Sequence, residues 1–195
     1  MPEQPTSMTD WELVQRARGG DRDAFRQLVE RYQRKVAALA LGMLRNQEDA
    51  LDVVQDTFTK AYQSLDRFKG DSSFYTWVYR IAANLCIDHQ RRESRATHLP
   101  YDNDDRSGGI GEGTLLDGTP HDQPFDRTRD AELGRRLRSA IAELTPEHRA
   151  VILLREVDGL SYEEISQVLQ CPKGTVMSRL HYARRQLQAR LREML

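Results

Sequence analysis

Cysteine is almost missing from this 195-residue chain, which has only Cys86 and Cys171. They lie far apart and form no CxxC and no disulfide framework, which fits a reducing, cytoplasmic setting. Cys86 and His89 have a ligand-like spacing, but no second pair completes a site, so no metal and no other cofactor is expected. Long apolar runs are missing too. No stretch approaches the ~20 residues that span a bilayer, and Pro2, Glu3 and Pro5 are wrong for a signal peptide, so no membrane insertion is expected. Neither sign of charge is in excess: 29 Lys and Arg face 30 Asp and Glu. The total decides nothing about nucleic acid, and the distribution has to be examined instead. Alternating β-branched runs with hairpin turns are absent. The expected fold class is therefore all-α.

Helical periodicity fills residues 9–96 and returns over residues 128–195. Between them, residues 97–127 carry Asp102, Asp104, Asp105, Glu112, Asp117, Asp122 and Asp126 against Arg106 and Arg127, with Gly108, Gly109, Gly111, Gly113 and Gly118. Such a segment offers too little apolar surface to offset the entropy of ordering it. It reads as a flexible acidic linker between two small helical domains.

The C-terminal domain is expected to be a helix-turn-helix. Thr145-Pro146-Glu147 starts one helix with a hydroxyl cap, a proline and an acid, and Asp158-Gly159 stops it. Ser161 and Glu164 have capping-box spacing and open a short helix with Ile165, Val168 and Leu169 as its stripe. Gln170 to Gly174 breaks the pattern, and Thr175 is expected to cap the last helix. There Val176, Leu180, Ala183, Leu187 and Leu191 form one apolar face. Ser178, His181, Tyr182 and Arg185 fall opposite, flanked by Arg179 and Arg184, with Lys173 at the entry. From Lys173 onward six Lys or Arg meet one acid, Glu193, a balance that suits a phosphate backbone. In helix-turn-helix docking the second helix enters the major groove. Ser178 and His181 would then reach base edges and the cations would hold phosphates.

In the N-terminal domain Asp21-Arg22-Asp23 precedes a helix with the stripe Phe25, Leu28, Val29, Tyr32, Val36 and Leu39. A second helix, from about Gln47 to Leu65, turns Val54, Phe58, Ala61 and Leu65 inward and lines another face with Asp49, Asp52 and Asp56. That acidic face is either a solvated surface or a dock for a basic partner. A polar loop, residues 66–73, leads into a helix whose core stripe is Phe74, Trp77, Val78, Ile81 and Leu85. Tyr75, Tyr79 and Arg80 fall off that stripe, and Arg91, Arg92 and Arg95 close the helix. Aromatics interleaved with arginine beside a glycine loop can stack unpaired bases and hold their phosphates. Phe68 is the aromatic least easily assigned to a core, because its loop is polar.

The run DRFKGDSSFYTWVYRIAANLCIDHQRR, with DVVQDTFTKAY before it and LREVDGLSYEEISQVLQCPKGTVMSRLHYARR after it, resembles the extracytoplasmic-function sigma factors of the sigma-70 family, nearest the extracytoplasmic-stress (RpoE-like) branch. The resemblance implies a region 2 domain over 9–96 and a region 4 domain over 128–195. Asp49, Asp52, Val53, Gln55, Asp56 and Thr59 would bind the clamp helices of core RNA polymerase, with the flap as a further contact. The loop from Phe68 to Ser73 would capture a flipped base of the −10 element. Phe68 and Asn84 would line the pocket, with Lys60 and Ser64 nearby and Arg80, Arg91 and Arg92 on the strand's backbone. The last helix, with Lys173, Thr175, Ser178, Arg179, His181, Tyr182, Arg184 and Arg185, would read the −35 duplex. The resemblance further implies control by an anti-sigma factor, often membrane-anchored, a stress regulon, and a monomer when free. Met177, His181 and Tyr182 stand where the family often has Arg, an aromatic and a basic residue, and Lys173 replaces a small apolar one. The family's −35 sequence therefore does not carry over.

Two other classes fit the residues less well. A two-domain helix-turn-helix regulator without initiation activity would share the last helix but needs neither the Phe68 loop nor the Asp52/Asp56 face. An enzyme needs a convergent site, and the five histidines are scattered.

Overall fold

The computed structural model describes residues 8–97 and 124–194. Within them the chain is helical, with no strand. The stretch 98–123, most of the expected linker, lies outside the described residues.

Helix α1 (Asp10–Arg18) begins at Thr9. The Glu12 amide donates to the Thr9 hydroxyl, and the Thr9 amide donates back to the Glu12 carboxylate, which satisfies two orphan donors at once. Asp21 accepts from the amides of Asp23 and Ala24 to start α2 (Arg22–Leu44). Arg45, at φ 64°, stops it, and Asn46 caps α3 (Gln47–Gln63). A connection of two residues folds α2 and α3 into an antiparallel hairpin. After a 3-10 turn (Leu65–Arg67) and a loop, α4 (Phe74–Thr97) packs across both arms of the hairpin. Leu28, Val36, Leu39, Met43, Ala61, Phe74, Val78 and Cys86 are buried between them.

The second half comprises α5 (Pro124–Ala142), α6 (Pro146–Ile152) running into a π turn (Leu153–Val157), α7 (Tyr162–Leu169) and α8 (Lys173–Met194). Thr145 caps α6, and Ser161 with Glu164 forms the capping box of α7. Two boundaries differ from expectation. First, α5 starts at Pro124, so residues 124–127 are helical rather than linker. Second, α8 starts at Lys173, not Thr175, and the Thr175 and Val176 amides donate to Pro172 O at 2.8 and 3.2 Å. The turn before α8 is made by Gln170 in left-handed geometry, φ 49°, a conformation that asparagine and glycine enter more readily.

The two halves share one apolar core rather than two. Helix α7 lies along α4, and the π turn meets α2. Leu153 presses on Gly42 so closely that a Cβ there would sit 2.9 Å from Leu153 Cδ1. Tyr79, expected off the core stripe, has no exposed surface because the second half covers it. Its hydroxyl donates to Asp158 Oδ1 at 2.9 Å. Burial pushes the Asp158 carboxyl up to about 6, against the opposing pull of the Tyr79 hydroxyl and the Lys35 charge. Arg149, 7% exposed, donates to Met43 O across the same boundary.

Candidate nucleic-acid interface

Helix α8 has one face in the core and one in solvent. Val176, Leu180 and Ala183 are buried, while Ser178, His181, Tyr182 and Arg185 are exposed. At 100° per residue, Thr175, Ser178, Tyr182, Arg185 and His181 share an arc of about 120° pointing away from the domain. The His181 and Tyr182 rings meet edge-on with centroids 5.7 Å apart. His148 of α6 borders a groove with Tyr182 and Arg185. Sequence reasoning missed His148, because its place depends on how α6 crosses α8. Lys173 and Arg184 lie on the flank, not on this face. Lys173 pairs with Glu163 of α7, and Arg184 pairs with Glu156 of the π turn at 2.6 Å. Exposed pairs of this kind contribute under about 1 kcal/mol, so an incoming phosphate can displace either carboxylate. Arg179 is half-buried and directs Nη1 toward Cys171 Sγ at 3.9 Å.

The loop before α4 departs from expectation at Phe68. That ring is 5% exposed. It is enclosed by Trp11, Phe74 and Trp77, with centroids 6.2, 5.8 and 5.2 Å away. Phe68 is therefore core and offers no face on which a base could stack. The exposed part of the loop is Lys69, Gly70, Asp71 and Ser73, with Gly70 at φ 83°. On α4, Arg80, Asn84 and Arg91 fall within about 40° of one another around the axis, and Arg92 lies about 100° from Arg91. Asn84, Arg91 and Arg92 are exposed. Arg80 is half-buried, and its Nε is buried without a hydrogen-bond partner. Arg91 approaches Glu147 of α6 at 3.4 Å. Lys60 is exposed, whereas the Ser64 hydroxyl is turned back onto Lys60 O at 2.5 Å.

On α3, Asp52, Gln55, Asp56 and Thr59 are exposed. Asp49 is half-buried, 3.4 Å from His89 Nε2 of α4. Val53 is a correction: at 5% exposure it packs inside and cannot meet a partner directly. Beside the acidic residues an open apolar groove runs between α2 and α3, lined by Phe25, Val29, Leu51, Val54, Phe58 and Tyr62, with Gln55 and Thr59 in the same lining. Leu51 is 58% and Tyr62 46% exposed. The stripe packs inward at Phe58, Ala61 and Leu65, whereas Val54 is half-buried at the edge of this groove, which no element of the described chain covers. Among the described residues no group of three His, Cys, Asp or Glu could hold a metal, and no helix is long and apolar enough to cross a membrane.

Comparison with known proteins gives these surfaces a common context. Residues 28–96 match the family model for Sigma-70 region 2, and residues 134–187 that for Sigma-70, region 4. The chain is 38% identical over 191 residues to the ECF RNA polymerase sigma-E factor of Haemophilus influenzae, covering 96% of this chain and 98% of that one. It is 40% identical over 183 residues to the sigma-E factor of Escherichia coli K12, covering 91% of each. It is 38% identical over 194 residues to the RNA polymerase sigma-H factor of Pseudomonas aeruginosa, covering 97% of each. Among solved structures it resembles CnrH in complex with the cytosolic domain of CnrY, with a TM-score of 0.67 and 30% identity over 94% of this chain and 97% of that one. The chain belongs to the extracytoplasmic-function (ECF) sigma factors of the sigma-70 family, and is a DNA-binding factor that directs transcription initiation by RNA polymerase.

Proposed function

We propose that this sigma factor reads its promoter in two physical modes and docks on core polymerase through the α2–α3 groove. The outward face of α8 enters the major groove of the −35 duplex. Ser178, His181 and Tyr182 sit toward base edges, and Arg185 and Arg179 toward phosphates, with Thr175, Lys173 and Arg184 at the margins. The −10 element is taken as an unpaired strand. Asn84 and the exposed loop, residues 69–73, receive a base, and Arg80, Arg91 and Arg92 track its backbone past Lys60 and Ser64. Phe68 serves this site from beneath, as the anchor of the loop. Asp52 and Asp56 supply charge opposite a basic partner surface on the polymerase clamp helices, and Leu51, Val54 and Tyr62 supply apolar area. Region 4 meets the flap.

CnrH was solved with the cytosolic domain of another protein. We read this chain as held in the same manner by a membrane-anchored anti-sigma factor within a stress regulon. On this reading the factor acts in the cytoplasm as a monomer outside the holoenzyme and is not an enzyme.

The observation that carries the reading is the coexistence of an outward polar face on α8 and an uncovered apolar groove on α2–α3. A regulator that only binds duplex DNA needs the first and has no use for the second. Core polymerase with this protein should initiate run-off transcription from promoters selected out of a random pool, and no transcript from any template would refute the reading. Leu51→Asp, which puts a charge in the groove, should weaken core binding at least about tenfold, or about 1.4 kcal/mol, with duplex binding intact. Unchanged core affinity would remove the groove from the interface.

A further inference from the structure

Helix α1 lies ahead of the region 2 match, which starts at residue 28, and the function just proposed does not use it. Its apolar stripe, Leu13, Val14 and Ala17, is buried and is enough to hold it on the domain. Two other residues of α1 go elsewhere. Arg18 Nε and Nη2 lie 3.1 and 3.0 Å from Leu65 O. Nη2 also reaches Asp66 O at 3.4 Å and donates to Phe68 O. Three carbonyls within four residues at the root of the loop thus converge on one guanidinium, whose planar fork fixes their mutual orientation. Trp11, seven residues earlier and on the same face of α1, lies against the Phe68 ring and over Gly70. A Cβ at Gly70 would sit 2.8 Å from Trp11 Cζ3. The guanidinium carbon of Arg18 is 5.9 Å from the Trp11 ring centroid. Trp11 remains 47% exposed, so burial of the indole does not by itself explain its place.

We propose that Arg18 and Trp11 are positioning residues for −10 recognition. They hold the loop, residues 69–73, in the shape that accepts the unpaired base. The inference rests on the reading of that loop as the base-capture element. An exposed loop with a left-handed glycine relaxes easily, and a recognition site must be held to within about 0.5 Å. Phe68 pins the loop from below, and α1 grips its backbone from the side. Arg18 gives the grip direction through its carbonyls, and Trp11 closes the space above Gly70.

The test uses the full chain with core polymerase on templates premelted across the −10 element, with each of the four bases placed in turn at each position. The quantity read is the initiation-rate ratio between the preferred and the wrong base. Asn84→Ala serves as the reference for damage to the pocket itself. Arg18→Ala and Trp11→Ala should each flatten the ratio about tenfold, the scale expected from a misplacement of about 1 Å or less. Core affinity and −35 duplex binding should change less than about twofold. Arg18→Lys should restore only part of the ratio, since an ammonium lacks the fork. If Arg18→Ala proves unfolded, Trp11→Ala, which leaves the guanidinium contacts of Arg18 in place, carries the test alone. A general structural role would lower core binding and duplex binding together and leave the ratio alone, which overturns the inference. A ratio kept by the α1 variants but lost in Asn84→Ala also overturns it while leaving the base-capture reading standing. A ratio kept in every variant overturns both.

Discussion

Replacing Arg149 by methionine removes one guanidinium that serves the ends of two helices in the two halves of the protein. Nε donates to Ile141 O at 3.2 Å, Nη2 to Ala142 O and to Leu144 O at 3.1 Å, and Nη1 to Met43 O. The last carbonyls of any helix lack partners within it. Ile141 and Ala142 end α5, and Met43 lies in the last turn of α2. The site is 7% exposed, so water cannot simply take over these bonds. Met43 O keeps a second donor, the Gln90 amide, and Ile141 O keeps the Leu144 amide at 3.2 Å, which leaves two carbonyls, those of Ala142 and Leu144, to lose theirs. Each unpaired buried carbonyl costs about 1–3 kcal/mol. Burial, followed by the nearby Arg45 charge, holds the Arg149 pKa below its ordinary value. The cation therefore carries a desolvation penalty that methionine relieves. The net loss should be about 2–3 kcal/mol, a sizeable part of the 5–15 kcal/mol typical of a folded protein. Both tryptophans, Trp11 and Trp77, lie in the N-terminal half, so their fluorescence follows that half alone while far-UV circular dichroism follows both. In urea the two probes should coincide for the parent chain and separate for Arg149→Met, with dichroism lost first. A shift below about 1 kcal/mol, or two curves that stay together, would refute this account of how the halves are joined.

Two further outcomes follow from the same geometry. Asp158 holds its proton up to about pH 6 in the folded chain, against an ordinary value of 3.8. The folded state therefore binds more protons across that window, and the parent loses stability as pH rises from about 4 to about 6. Asp158→Asn keeps an oxygen for Tyr79, so it should abolish that slope and raise Tm at pH 7 but not at pH 4; a slope that persists in the variant would count against the buried carboxyl. On −35 duplex, Arg185→Ala should reduce the salt slope by about 0.9 and Arg184→Ala by less, because Glu156 already occupies that side chain; equal losses would contradict the assignment.

Helix starts were legible because caps are local chemistry. Thr145-Pro146 and the Ser161/Glu164 box need only a few neighbouring residues to act. The start of α8 was misread by two residues because glycine suggests where a chain turns, yet here Gln170 takes the left-handed position and Gly174 already lies in the helix. Phe68 and Tyr79 were misjudged for a different reason. The loop around Phe68 is polar, and the ring is closed in by Phe74 and Trp77 of the next helix together with Trp11, which is far away in the sequence. Tyr79 leaves the α4 stripe, and its cover comes from Asp158 and the second half. Neither Trp11 nor Asp158 lies within a sequence window. Val54 shows the converse limit. Periodicity placed it on a core face with Phe58, Ala61 and Leu65, and those three are buried, but a stripe does not say how far the cover extends, and beside Val54 a groove stays open. Val53, beside the acidic residues in sequence, is turned inward by the same helical period that turns Asp52 and Asp56 outward.

The near balance of charge over the whole chain acquires a structural meaning at α8. Lys173, Arg184 and Arg190 each have a carboxylate of their own domain beside them: Glu163, Glu156, and Glu143 with Glu193. The outward face therefore presents Arg185 among hydrogen-bonding groups rather than a carpet of cations. A surface that releases few counterions holds duplex weakly and gains little from non-specific sequence. Two weak reading surfaces become effective when one body carries both, because the second contact is then intramolecular. On the function proposed here that body is the polymerase, which assigns the apolar groove the task of adhesion and leaves α8 and the loop the task of discrimination. The span agrees. Elements centred about 25 base pairs apart lie roughly 85 Å apart at ~3.4 Å per pair, whereas a folded body the size of the described residues, about 160, has a radius of gyration of about 15 Å. On the function proposed above, the halves part to reach both elements at once. The shared apolar core is interrupted at the boundary by a buried carboxyl and a buried guanidinium, and interfaces between domains that carry polar groups open more readily than wholly apolar ones.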